Sequence, residues 1–282
     1  MEKCSSILVV VKEVASSDLL FDKAAILARR FGARLELLLD DANATCALAA
    51  RFAAAGLDDQ VSFALRGSNE PLNDVIVRHL KKRPADLVMK CAEPARALRR
   101  MLRAADDMAL AARLEVPLLR AGTKPWHAEM RFAAAVDVSD RDSDAVARAI
   151  VHAAGLIAMR CEATLDVLYS EREAHDERVR MERAVRMARL VREFHVGGER
   201  LRVFNGAPDH TLPKAISAGD YDLVVVGAIP RRPKPLPWMP SLTSLLANAN
   251  AGDVMLVPET KRVLRDGSRR TRATRTPREA HP

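Results

Sequence analysis

The sequence predicts an α/β protein made of two consecutive parallel-sheet units. Three observations carry that expectation. Short, β-branched apolar runs alternate with amphipathic segments of helical period. The alternation stops near Trp126 and then restarts. Matching segments recur in the two halves at a nearly constant separation, the mark of a duplicated unit. A chain of 282 residues accommodates two such units, since a domain takes roughly 100–200 residues.

The elements follow in order. Ile7–Val11 is an unbroken apolar run, as expected of a strand buried on both faces. Asp18–Phe31 carries Leu20, Ala24, Leu27, Ala28 and Phe31 at helical spacing, with Ser17 or Asp18 as cap and Gly32 at the stop. Leu35–Leu39 is a strand, Thr45–Gly56 an Ala-rich helix, Val61–Leu65 a strand and Leu72–Lys82 a helix. Ala85–Lys90 is a strand, Ala97–Leu114 a long helix and Val116–Leu119 the fifth strand. Gly122–Trp126 reads as a linker. The second half repeats the pattern with strands at Phe132–Val138, Leu165–Tyr169, Leu201–Phe204, Tyr221–Val226 and Val254–Val257. Its helices fall at Asp144–Met159, His175–Phe194, Leu212–Ala218 and Ser241–Asn250. A βαβ order implies parallel strands with helices on both faces, a Rossmann-like architecture in each half.

The repeat shows in particular residues. Val11 matches Val136, and Gly67 matches Gly206. Ala85-Asp86-Leu87-Val88 matches Tyr221-Asp222-Leu223-Val224. Glu115-Val116-x-Leu118-Leu119 matches Asp253-Val254-x-Leu256-Val257. The expected division is residues 1–124, residues 127–260 and a disordered basic tail at 261–282.

Charge is concentrated in that tail. The chain has 45 Lys and Arg against 37 Asp and Glu, and eight of the basic residues but only three of the acidic ones lie from Glu259 onward. The body is therefore close to neutral, and the overall positive charge is no argument for nucleic-acid binding by the folded part. Cys4, Cys46, Cys91 and Cys161 are scattered, with no metal-ligand spacing, and read as buried, reduced thiols. The first apolar stretch is too short for a signal-peptide core and no run approaches a membrane span, so a cytoplasmic protein is expected.

In open parallel sheets, ligands bind beyond the carboxyl ends of the strands where strand order reverses. In the second half this places Asp137 and Gly227 at the crevice, with Asn205-Gly206-Ala207-Pro208 beside them. The first half has Lys12 and Cys91 at the same two points. Asp137 serves equally as a ligand contact or as a loop acid capping the next helix with Ser139. Asn205 and Gly206 form a turn that needs no ligand, or line the crevice. Arg231, Arg232 and Lys234 would attract phosphates, or are solvated loop charges.

This layout, with its strand-end Asp, its Gly after the third strand and its Asp-Leu-Val-Val-Val-Gly strand, resembles the universal stress protein family over both halves. The run Asp86-Leu-Val-Met-Lys90, and the run Val116-Pro-Leu-Leu-Arg-Ala-Gly-Thr-Lys-Pro-Trp126, are similar to the tandem-domain, UspE type. The resemblance implies the adenine nucleotide alpha hydrolase-like form of the Rossmann-like fold. It also implies a pseudo-two-fold pairing of the halves, with self-association as a further option. ATP-binding members carry Gly-x2-Gly-x9-Gly-Ser/Thr after the fourth strand. Here Gly227-Ala-Ile-Pro230 is followed by nine residues and then Pro240-Ser241. Proline lacks an N–H and fixes φ, so two of the phosphate-cradling positions are lost.

The expected function is a non-enzymatic stress-response protein without a resident cofactor. It would bind a small ligand or partner in the second half through Asp137, Asn205, Gly206, Gly227, Arg231 and Ser241. ATP is the ligand the resemblance allows, with weak or no affinity. Two alternatives stay open: an ATP-binding member with weak ATPase action, and a nucleic-acid-associated protein acting through the tail. No dinucleotide fingerprint, P-loop, His-x-Glu or Gly-x-Ser-x-Gly motif occurs, and no metal site, membrane contact or folded nucleic-acid interface is expected.

Overall fold

The continuous apolar runs become ten strands in one sheet. The computed structural model describes residues 4–67, 70–92, 106–139, 144–171, 176–194, 200–228 and 252–258. The strands are β1 Ser6–Val11, β2 Arg34–Leu39, β3 Val61–Leu65, β4 Leu87–Cys91, β5 Leu118–Ala121, β6 Arg131–Ala135, β7 Thr164–Glu171, β8 Leu201–Asn205, β9 Leu223–Gly227 and β10 Asp253–Val257. The helices are α1 Asp18–Phe31, α2 Ala44–Ala54, α3 Leu72–Lys82, α4 at 106–113, α5 Asp144–Cys161, α6 Glu177–Glu193 and α7 Pro208–Gly219.

Sheet order is β3-β2-β1-β4-β5-β10-β9-β6-β7-β8. Each half has its strands in the order third, second, first, fourth, fifth, and all pairings within a half are parallel. The halves meet edge to edge through an antiparallel β5–β10 ladder, with Leu119 opposite Met255. Two apolar edges that would otherwise be bare thus cover each other.

Both faces of the sheet are buried along its central strands, while the edge strands β3 and β8 stay partly exposed. Ile7, Val9 and Val11 of β1 join one core with residues of α1, α2, α5 and α6. Leu8 and Val10 join the other core with residues of α3, α4 and α7. Residues from both halves fill each core, and α1 packs against α5. Strand side chains alternate between faces, so burial on both sides explains the absence of polar alternation in β1.

Four sequence expectations are corrected. The fifth strand of the first half runs Leu118–Ala121, not Val116–Leu119. Val88 pairs with Leu118 as Val224 pairs with Val254, so Leu118 is the counterpart of Val254, two residues on from the sequence match. Ser17 does not cap α1 with its side chain; its Oγ donates to the Glu13 carbonyl at 2.6 Å. Pro208 belongs to α7, in its first turn, where the missing N–H costs nothing. Gly122–Trp126 is anchored rather than a free linker. Gly122 N and Trp126 Nε1 both donate to Asp253, at 2.7 and 3.0 Å, and the Trp126 ring meets Phe132 edge-on at 5.7 Å. The helix expected at Ser241–Asn250, the first part of Ala97–Leu114 and the tail lie outside the described residues.

Candidate crevice at the carboxyl edge of the second half

Strand order reverses between β6 and β9, and between β1 and β4 in the first half. Asp137 follows β6 by two residues, and Gly227 ends the neighbouring β9. Glu171 and Asn205 end β7 and β8 and stand opposite each other in the ladder. Asp137, Asn205, Gly206 and Gly227 therefore share one edge of the sheet, at the ends of β6, β8 and β9, with β7 between β6 and β8 and neighbouring strands roughly 4.8 Å apart. Arg231 and Ser241 lie outside the described residues.

Asp137 is half-buried, and its Oδ1 accepts the Ser139 amide at 2.9 Å. That bond folds the loop locally, just after β6. Gly206 is held by β7 on both sides. Its amide donates to the Glu171 carbonyl at 2.8 Å, and its carbonyl accepts Ser170 Oγ at 3.0 Å. Its φ of 127° suits glycine, and a Cβ there would sit 2.9 Å from Thr211 Oγ1. The turn is thus explained by its own strand and helix.

Two arginines of α6 overhang this edge. Arg183 Nη1 reaches Glu171 Oε1 at 3.3 Å, and Arg186 Nη1 donates to the Val138 carbonyl at 3.3 Å. Tyr169 lies beneath them, and burial pushes its phenol above the usual range, with Arg183 opposing that and Glu171 and Asp137 adding to it. Tyr169, Glu171, Arg183 and Arg186 escaped sequence reasoning. The only available signal was Arg183 and Arg186 three apart, flanking the core-facing Met187 and Leu190 on a helix that otherwise reads as solvated.

The first half differs at every equivalent point. Lys12 is exposed, and Cys91 Sγ lies 3.5 Å from Ser17 Oγ, its thiol raised mainly by burial. Beyond β1 and β2, an open hollow of about 450 Å³ is lined by Lys12, Asp40, Asp41 and Ala44 among others. Lys90, half-buried beside β5, pairs with the buried Asp107 at 2.7 Å.

The deepest charges join the halves. Lys23 of α1 and Asp253 of β10 have side chains 2% and 0% exposed and meet at 2.6 Å. Lys23 Nζ also donates to the Gly122 carbonyl at 3.2 Å. Burial raises the Asp253 carboxyl to about 6 against the pull of Lys23, Gly122 and Trp126. Among the described residues no three His, Cys, Asp or Glu side chains gather as a metal site, and no helix is long and apolar enough to cross a membrane. The four cysteines form no disulfide; Cys4 and Cys161 are buried as expected, but Cys91 is half-buried and Cys46, on the outer face of α2, is exposed.

No family model matches the chain, and no curated protein does. Solved structures do. One assigned to the universal stress proteins, from Pseudomonas aeruginosa, has a TM-score of 0.75 at 21% identity, covering 92% of this chain and 95% of that one. A functionally unknown P. aeruginosa protein has a TM-score of 0.74 at 21% identity, covering 92% and 94%. A universal stress protein from Archaeoglobus fulgidus has a TM-score of 0.61 at 10% identity, covering 91% and 97%. The strand order, the helices on both faces and these similarities agree: the chain has the universal stress protein fold, in a tandem arrangement.

Proposed function

We propose that the chain is a non-enzymatic, cytoplasmic stress-response protein of the tandem-domain, UspE type. Residues 1–124 and 127–260 act as two domains paired as a pseudo-dimer, with 261–282 as an appendage. The second domain holds a small ligand or partner at Asp137, Asn205, Gly206 and Gly227, with Arg231 and Ser241 from the following loop. The observation that carries this reading is the closure of that edge. Arg183 on Glu171, Arg186 on the Val138 carbonyl and Asp137 on the Ser139 amide tie the described part of the edge together, while the buried Arg183 Nε has no hydrogen-bond partner among the described residues. Such a site selects by shape, and among the described residues no side chain there is poised as a nucleophile with its base. Pro230 and Pro240 remove phosphate donors from the adjoining loop, so ATP binds weakly or not at all.

The test is a thermal-shift titration of the full chain with Mg-ATP, paired with an assay for released phosphate. A ligand that binds only the native state raises its midpoint. The expected result is no shift at millimolar nucleotide and no phosphate release. Micromolar affinity or turnover would overturn the reading in favour of an ATP-binding, ATP-hydrolysing member.

A further inference from the structure

We infer that the Lys23–Asp253 ion pair decides which sheet edges join, directing β5 onto β10 and away from copies of themselves. This concerns the junction between the halves and does not rest on the reading of the crevice.

The backbone alone cannot make that choice. Around Leu119 opposite Met255, Arg120 faces Val254 and Leu118 faces Leu256. With Leu118 the counterpart of Val254, Leu119 of Met255 and Arg120 of Leu256, the ladder maps onto itself when the halves are exchanged. A β5–β5 or a β10–β10 ladder between two chains would offer the same main-chain hydrogen bonds. Bare edges pair without regard to sequence.

The side chains break this equivalence. Gly32 follows α1 and Glu162 follows α5, both with positive φ, and Ala33 N bonds Ala28 O as Ala163 N bonds Ala158 O. That superposition makes Ala153 the counterpart of Lys23. The β4–β5 and β9–β10 registers make Pro117 the counterpart of Asp253. The charge pair therefore exists once across the junction, not twice. Joining two first halves would bury two Lys23 ammonium groups, each facing a proline. Joining two second halves would bury two Asp253 carboxylates, each facing an alanine and without the Gly122 and Trp126 donors that follow β5. An uncompensated buried charge is strongly unfavourable. Only the mixed junction satisfies both groups, so specificity comes from the penalty on the wrong partner. The short segment between β5 and β6 then makes the mixed junction intramolecular, because a tether raises effective concentration.

The test uses the full chain with its four native cysteines replaced by alanine and one reporter, L119C or M255C. Each reporter faces a non-cysteine in the mixed junction and its own copy in a like junction. Chains are refolded at high concentration, oxidised and separated without reductant. With Lys23 and Asp253 in place, neither reporter cross-links above background. In K23Q/D253N, which keeps an acceptor for the Gly122 amide, both reporters cross-link at least tenfold more. In K23M, only like pairing of first halves is relieved, so L119C cross-links and M255C does not. Cross-linking with the ion pair present, no rise in K23Q/D253N, or equal behaviour of the two reporters in K23M would each overturn the inference.

Discussion

Asp222 and Arg131 hold each other twice. The Asp222 amide donates to the Arg131 carbonyl at 2.8 Å, and Asp222 Oδ2 accepts the Arg131 amide at 2.9 Å. Asp86 and Ser6 make the same exchange in the first half, at 2.9 and 3.1 Å. The second oxygen of Asp222 accepts the His127 amide at 2.9 Å and lies 2.7 Å from its Nδ1, while Asp86 Oδ2 also takes the Ser5 amide and hydroxyl. The Asp of the Asp-Leu-Val strand is thus a staple that aligns the start of the first strand with the fourth, and it contacts no part of the crevice.

Removing that staple leaves part-buried amides without their acceptor. Asp222→Ala should cost about 3 kcal/mol of unfolding free energy, the upper end for an orphaned buried donor. Asp86→Ala should cost less, about 1–2 kcal/mol, because Asp86 is only half-buried whereas the Asp222 side chain is 1% exposed. Urea titrations of the two variants decide this, and an inverted order would show that burial does not set the loss.

Gly206 gives a second stability test. Alanine there must adopt φ near 127° and bring its Cβ to about 2.9 Å from Thr211 Oγ1. Gly206→Ala should destabilise by about 1–3 kcal/mol. In a Thr211→Ala background the contact is gone but the backbone strain remains, so part of the loss should persist. Complete rescue in the double variant would mean the strain argument is wrong.

The strands and their duplication are legible in the sequence because runs such as Leu8-Val9-Val10-Val11 have no other use than a sheet covered on both faces. The fifth strand is misplaced by two residues for a physical reason. Side chains alternate with period two, so a shift of two keeps every residue on its face and leaves the apolar pattern unchanged. Pairing, not pattern, sets the register. Asp137 and Gly227 are legible as strand-end residues, since topology alone locates the reversal of strand order. Arg183 and Arg186 are not, because helical period says which residues share a face but not which loop the face overhangs. The helical pattern of Asp18–Phe31 does not single out Lys23. Its burial depends on Asp253, 230 residues away, which no local pattern encodes.

Asp253 should leave a trace in the pH dependence of stability. Its native carboxyl titrates at about 6 against an ordinary value of 3.8. The native state therefore holds the proton more tightly than the unfolded chain does. The stabilisation from protonation is fully present below about pH 4 and is lost as pH rises through about 6. At about 1.36 kcal/mol per unit, the difference across that window is about 3 kcal/mol. Denaturation of the wild type and of K23Q/D253N from pH 4 to 7 should show the wild type losing about that much relative to the variant. Parallel curves would mean that Asp253 stays ionised throughout.

The tail provides the last prediction. Residues from Lys261 to Pro282 carry seven Arg and no Phe, Trp or Tyr, a composition that cannot bury a core or stack on bases. The last strand, β10, ends at Val257, whose side chain is already buried against the sheet. Among the described residues the sheet is complete at β10, so any action of the tail should be electrostatic and weakened by salt. A chain ending at Thr260 should unfold within about 2 °C of the full chain, a change that corresponds to about 1 kcal/mol for a protein of this size. Any affinity of the full chain for DNA should vanish with the deletion and fall steeply as salt is raised. A drop of more than a few degrees would place the tail against the folded body, and DNA binding that survives the deletion would move the basic surface into the domains.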